Sequence, residues 1–144
     1  MTEPIHPVLR QTVLDCPDPR ALAEFYRALL GMTYRPGDET PPDGEPDDRG
    51  RDWLVLRPPA PGGQQLAFQQ VDEQARSTWP DNRVPQQLHL DMSVPDIETL
   101  ARTHESALAL GATVLLDRTD DEEEPLWVYA DPAGHPVCIF VAPA

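Results

Sequence analysis

The chain has 144 residues, 40% of them apolar, a length at which one core supports a single domain or two small fused modules. Its 25 Asp and Glu against 11 basic residues give a formal charge of −14, which repels phosphate backbones and anionic lipid surfaces; no nucleic acid and no membrane partner is expected. All the basic residues are arginines, and the lack of lysine excludes lysine Schiff-base chemistry and the lysine of a Walker-type phosphate loop.

The start, MTEPIHPVLRQ, has no basic region followed by an apolar run, and no stretch approaches the roughly eighteen apolar residues of a membrane span, so a cytoplasmic location is expected. Residues 8–16 (VLRQTVLDC) read as a strand. Asp18-Pro19 then supplies a helix cap followed by proline at the first helical position, and Leu22, Phe25, Tyr26, Leu29 and Leu30 recur at the spacing of one buried helical face. Gly31 stands where that helix stops. Strands are expected at 32–35, 52–57 and 65–71, separated by the acidic, Pro/Gly-rich loop 36–50, expected to be mobile, and the turn PPAPGG at 58–63.

After a polar link at 72–85 the order repeats. Residues 87–94 (QLHLDMSV) read as a strand, Asp96 as a cap, and Ile97, Leu100, Ala101, His104 and Leu108 as a helical stripe running up to Gly111. Strands at 112–117, 126–130 and 136–142 follow, with the acidic run DRTDDEEE at 117–124 as a solvated loop. Gln11 precedes the cap Asp18 by seven residues, and His89 precedes the cap Asp96 by the same seven. The halves, about 8–71 and 86–142, are therefore tandem β-α-β-β-β modules, an α+β arrangement within one domain spanning 1–144.

Such a module alone leaves one sheet face uncovered, and two of them can curl around a ligand cleft. Strand alternation sends Gln11, Val13 and Asp15 toward that cleft if Thr12, Leu14 and Cys16 point the other way; likewise His89 and Asp91 if Leu88, Leu90 and Met92 pack under the helix. Gln69 and Cys138 join them. Trp53 and Trp127, each opening the third strand of its module, are candidates for the cleft wall or for core filling. Asp91 can serve as a base, as a counter-charge to a cationic ligand, or as a hydrogen-bonding partner of a neighbouring strand. Cys16 and Cys138 have no zinc-ligand spacing and are expected as reduced thiols.

Three segments carry a family resemblance: QTVLDCPDPRALAEFYRALLGM, HLDMSVPDI followed by ALALGA, and WVYADPAGHPVCIF. Together they resemble the vicinal oxygen chelate superfamily, which includes glyoxalase I, extradiol dioxygenases, fosfomycin-resistance enzymes and bleomycin-resistance proteins. The resemblance covers nearly the whole chain and implies the glyoxalase/bleomycin-resistance fold, two tandem βαβββ modules forming a curled mixed-sheet cleft. It also implies four positions at which metal-dependent members hold a divalent ion, and these fall on Gln11, Ala67, His89 and Cys138. Where the family has glutamate, this chain has Ala67 and Cys138. A hard cation wants oxygen ligands and charge, so no metal and no other cofactor is expected; a zinc site using Gln11, His89 and Cys138, helped by the Gln69 amide, stays open.

The resemblance thus implies a glyoxalase-like small-molecule-binding protein that sequesters a cationic or aromatic compound, as a homodimer. The alternative is a lyase or isomerase acting on a small carbonyl or epoxide in the same cleft, with His89, Asp91 or Cys138 moving the proton.

Overall fold

Both helices start where their caps predict. A computed structural model describes residues 2–142. In it the extended Asp18 accepts the backbone N–H of Ala21 at 3.1 Å and opens helix α1 (Pro19–Leu30), and Asp96 accepts that of Thr99 at 2.7 Å and opens α2 (Ile97–Ala109). Gly31 closes α1 in the left-handed conformation, at φ 67°, which a side chain would disfavour.

The strands are β1 (Gln11–Cys16), β2 (Thr33–Tyr34), β3 (Trp53–Arg57) and β4 (Gln65–Gln70), then β5 (Leu90–Val94), β6 (Thr113–Arg118), β7 (Leu126–Ala130) and β8 (Pro136–Val141). Among the described residues they form two four-stranded mixed sheets of the same order, β1-β4-β3-β2 and β5-β8-β7-β6, with no closed barrel. In each sheet the first and last strands of the module pair in parallel and the other pairs are antiparallel. Two strands begin three residues later than expected. β1 starts at Gln11, opposite Gln65, because the turn before Gln65 offers no ladder to residues 8–10. β5 starts at Leu90, opposite Val137, because the preceding Pro136 has no N–H to donate.

One core joins the two modules through their helices. Leu22, Phe25 and Tyr26 of α1 pack with Leu54, Leu56 and Phe68 of the first sheet, and the same cluster continues through Leu100 and Ala107 of α2 to Tyr129, Val137 and Ile139. A polar seam runs beside it. The Tyr26 hydroxyl donates to Asp131 at 2.6 Å with both residues fully buried, and Asp131 also accepts the N–H groups of Ala133 and His135 in the turn before β8. Arg76 of the link donates to the Pro132 carbonyl at 3.0 Å. It crosses directly over Gly134, where φ is 97° and an added Cβ would lie 2.7 Å from the Arg76 side chain.

The loop 36–50, expected to be mobile, is tied down. Asp38 is wholly buried, pairs with Arg35 at 3.0 Å and Arg49 at 2.7 Å, and accepts the N–H of Val55 on β3. Arg20 of α1 holds Asp47 with two hydrogen bonds and also donates to the Asp38 carbonyl. Composition predicted a mobile loop; Arg20, Arg35 and Arg49 hold it in place by pairing with Asp38 and Asp47.

Candidate functional site

The period of two in each strand divides every sheet into a helix-covered face and an open one. On β1, Leu14 and Cys16 lie in the core, while Val13 is 39% exposed and Asp15 is exposed beside it. Register places three rows on the open face of the first sheet: Gln11 beside Gln65; Val13, Ala67 and Val55; then Asp15, Gln69 and Trp53. Ala67 is fully buried and Trp53 half-buried, so this face is apolar in its middle row and amide-rich around it.

The matching face of the second sheet gathers His89, Asp91 and Cys138. Asp91 and Cys138 are register partners across the parallel β5/β8 pair, and His89 lies two residues before Asp91 on the same side. His89 Nε2 is 3.2 Å from Asp91 Oδ1, and one ligating atom from each of the three residues lies within 4.8 Å of the others. His89 and Asp91 are exposed and Cys138 half-buried. Burial, reinforced by the Asp91 charge, pushes the Cys138 thiol up to about 11, so at neutral pH it is a protonated thiol and not a nucleophile. A cavity of about 30 Å³ opens beside the cluster, walled by His89, Cys138, Val128, Trp79 and Gln86. Trp79 reaches this wall from the link, and nothing in its local sequence relates it to β5 or β8.

A larger cleft, of about 320 Å³, runs between the modules where the link crosses them. Its walls include Val13 and Asp15 of β1, Val84 of the link, Leu88 just before β5, and His135 and Pro136 at the start of β8. Gln86 and Pro136 belong to both cavities. His135 fixes this junction, because its Nε2 lies 2.7 Å from the Asp15 carbonyl, and a carbonyl only accepts; the proton is therefore on Nε2. Nothing local in the sequence relates His135 to Asp15, 120 residues earlier.

Trp127 does not face the cleft. Its partner across the β7/β8 ladder is Ile139, a core residue, and its ring stacks on His104 of α2 with centroids 3.9 Å apart. The open-face counterpart of Trp53 is Leu126, which begins β7 as Trp53 begins β3. A shift of one residue between the two tryptophans puts them on opposite sides of their sheets. His104, Nδ1 2.7 Å from the Tyr129 hydroxyl, completes the cluster under α2.

A family model described as Glyoxalase-like domain matches residues 11–140. No curated protein matches the chain. Among solved structures, the chain is similar to a glyoxalase/bleomycin resistance protein/dioxygenase family enzyme from Burkholderia phytofirmans, at 15% identity and TM-score 0.65 over 91% of this chain and 95% of that one. It is similar to lactoylglutathione lyase from Agrobacterium tumefaciens at 19% identity and TM-score 0.59, over 94% and 93%. It is also similar to the fosfomycin resistance protein FosX from Mesorhizobium loti at 13% identity and TM-score 0.63, over 94% and 91%. At these identities the likeness shows the fold alone.

Proposed function

The chain belongs to the glyoxalase-like domain family, and from that premise we propose that it binds a small cationic compound with an apolar or aromatic body in the cleft between its modules. The observation that carries the reading is the cleft's composition. Val13, Val84 and Leu88 offer apolar surface, Asp15 offers one carboxylate, and about 320 Å³ lies within the range of small-molecule pockets. A chain of net charge −14 concentrates cations around it at low salt.

The hard divalent ion of the metal-dependent relatives does not fit the four matching positions. They present an amide, a methyl group, an imidazole and a protonated thiol, with no carboxylate among them, and no step of the proposed function runs through such an ion. Binding without turnover is supported by the place of the three proton-moving candidates, because His89, Asp91 and Cys138 do not line this cleft.

The reading is tested with benzylammonium and the neutral benzyl alcohol as probes. The cation is expected to bind about two- to fivefold tighter, the scale of one exposed ion pair, and to lose that advantage in Asp15→Asn and at high salt. Equal binding of both probes, or an advantage that survives in Asp15→Asn, would overturn it. A homodimer belongs to the same reading, supported by Ile5, Val8 and Leu9 at 97%, 85% and 83% exposure in the arm before β1. Light scattering that shows only a 16.0 kDa species at micromolar concentration counts against the dimer.

A further inference from the structure

We propose that two copies of this chain meet through the arm before β1, each arm lying over the cleft of the other, so that Ile5, Val8 and Leu9 of one copy cover Val13 and Leu88 of the second. The proposal rests on the homodimer of the preceding reading, and it adds where the copies meet and what each supplies to the other's cleft.

Apolar exposure points to this face first. Five of the eight large apolar side chains that stand exposed among the described residues are Ile5, Val8 and Leu9 of the arm, Val13 of β1 and Leu88 just before β5. The last two line the cleft. Residues 2–10 are all exposed, and among the described residues no backbone hydrogen bond ties residues 2–9 to the rest of the chain. The arm runs into β1, which lies at the edge of its sheet, a place where another chain can pair. Charge then says what covers the face. A chain with 25 acidic residues repels its own copies over most of its surface, yet residues 4–14 carry no carboxylate and residues 74–90 carry one, Asp81, which Arg83 pairs at 2.8 Å. The other exposed apolar groups lack this relief: Ile97 and Leu108 share α2 with Glu98 and Glu105, and Val114 shares β6 with Asp117.

The area is sufficient. Extended, residues 2–10 reach about 30 Å. Over a strip about 10 Å wide, two arms and the surfaces beneath them remove about 1,200 Å² from water, the lower bound of a stable interface. Pro4 and Pro7 fix their backbone φ angles beforehand and so lower the cost of ordering the arm. A twofold axis gives both copies the same contact and closes the assembly at two chains.

The full chain at micromolar concentration is expected to scatter light as a dimer. Val8→Asp with Leu9→Asp, which brings like charges together in the contact, should return it to 16.0 kDa with the far-ultraviolet circular dichroism of the parent chain. Ile97→Asp, at the start of α2, should leave the dimer intact. Position is read by mixing Leu9→Cys chains with Leu88→Cys chains under mild oxidation. A disulfide between the two is expected at about five times or more the yield of one between Leu9→Cys and Leu108→Cys chains. Equal yields overturn the proposal. A dimer that survives the arm variant, or that Ile97→Asp breaks, also overturns it and leaves the homodimer itself standing. A parent chain of 16.0 kDa overturns both, while the cation preference of the cleft is read separately from Asp15→Asn.

Discussion

The hydroxyl of Tyr26, on the helix of the first module, donates a 2.6 Å hydrogen bond to the carboxylate of Asp131, in the last turn of the second, and neither residue is exposed to solvent. The two modules are thereby joined by a buried polar contact inside a shared apolar core. Tyr26→Phe keeps the ring, which packs against Phe25 and Phe68, and removes only the donor. Asp131 retains two backbone donors, so the expected loss is about 1.5–3 kcal/mol, read from urea unfolding. A loss below about 0.5 kcal/mol would mean that the contact adds nothing to the joining of the modules.

Alkaline pH should weaken the fold ahead of any general charge effect. Burial raises the Cys16 thiol from 9.0 to about 12 and holds the Tyr26 hydroxyl well above its ordinary 10.0, where the Asp131 charge adds to the effect. Both groups bind their protons more tightly when folded, so their contribution is complete below pH about 9 and is lost as the pH climbs from there toward the folded values. Cys16 adds a slope of about 1.4 kcal/mol per pH unit above its ordinary 9.0, and Tyr26 adds about the same above its ordinary 10.0. Urea midpoints measured from pH 8 to 11 should fall, and Cys16→Ala should reduce the slope.

Loop 36–50 should become a protease target once Asp38 is removed. In Asp38→Ala the Val55 N–H loses its acceptor, and Arg35 and Arg49 lose their shared carboxylate. The expected cost is about 2–4 kcal/mol, with tryptic cleavage at Arg49 and Arg51 rising well above that of the parent chain. Equal cleavage rates in parent and variant would show that the loop is open regardless of its anchors.

Manganese should bind the unmodified chain weakly, since Ala67 and Cys138 stand where carboxylates would. The double change Ala67→Glu with Cys138→Glu restores two charges and should tighten manganese binding at least about tenfold in calorimetry. Ala67 is fully buried, and Ala67→Glu alone should cost about 1–3 kcal/mol, so the double variant is compared after its fold is verified. Gln11 and Ala67 occupy one sheet, His89 and Cys138 the other, and a gain in the double variant therefore also reports that the two open faces meet in solution.

What the sequence determined by itself is what short-range physics controls. Asp18-Pro19 and Asp96 start helices through bonds to residues three positions on, Gly31 stops one through its own backbone freedom, and apolar alternation on β1 assigns Leu14 and Cys16 to the core. Because both modules repeat these local signals at the same spacing, the tandem architecture was legible as well. Tertiary structure decided everything that depends on partners distant in the chain. Arg20 pins an acidic loop that its composition marks as mobile, since opposite charges pair wherever the fold brings them together. Trp127 turned to the helix side, since a strand's register is fixed by its neighbours and one residue reverses its face. Asp91 and Cys138, both candidates for the cleft in the sequence, became register partners only when β5 and β8 paired in parallel.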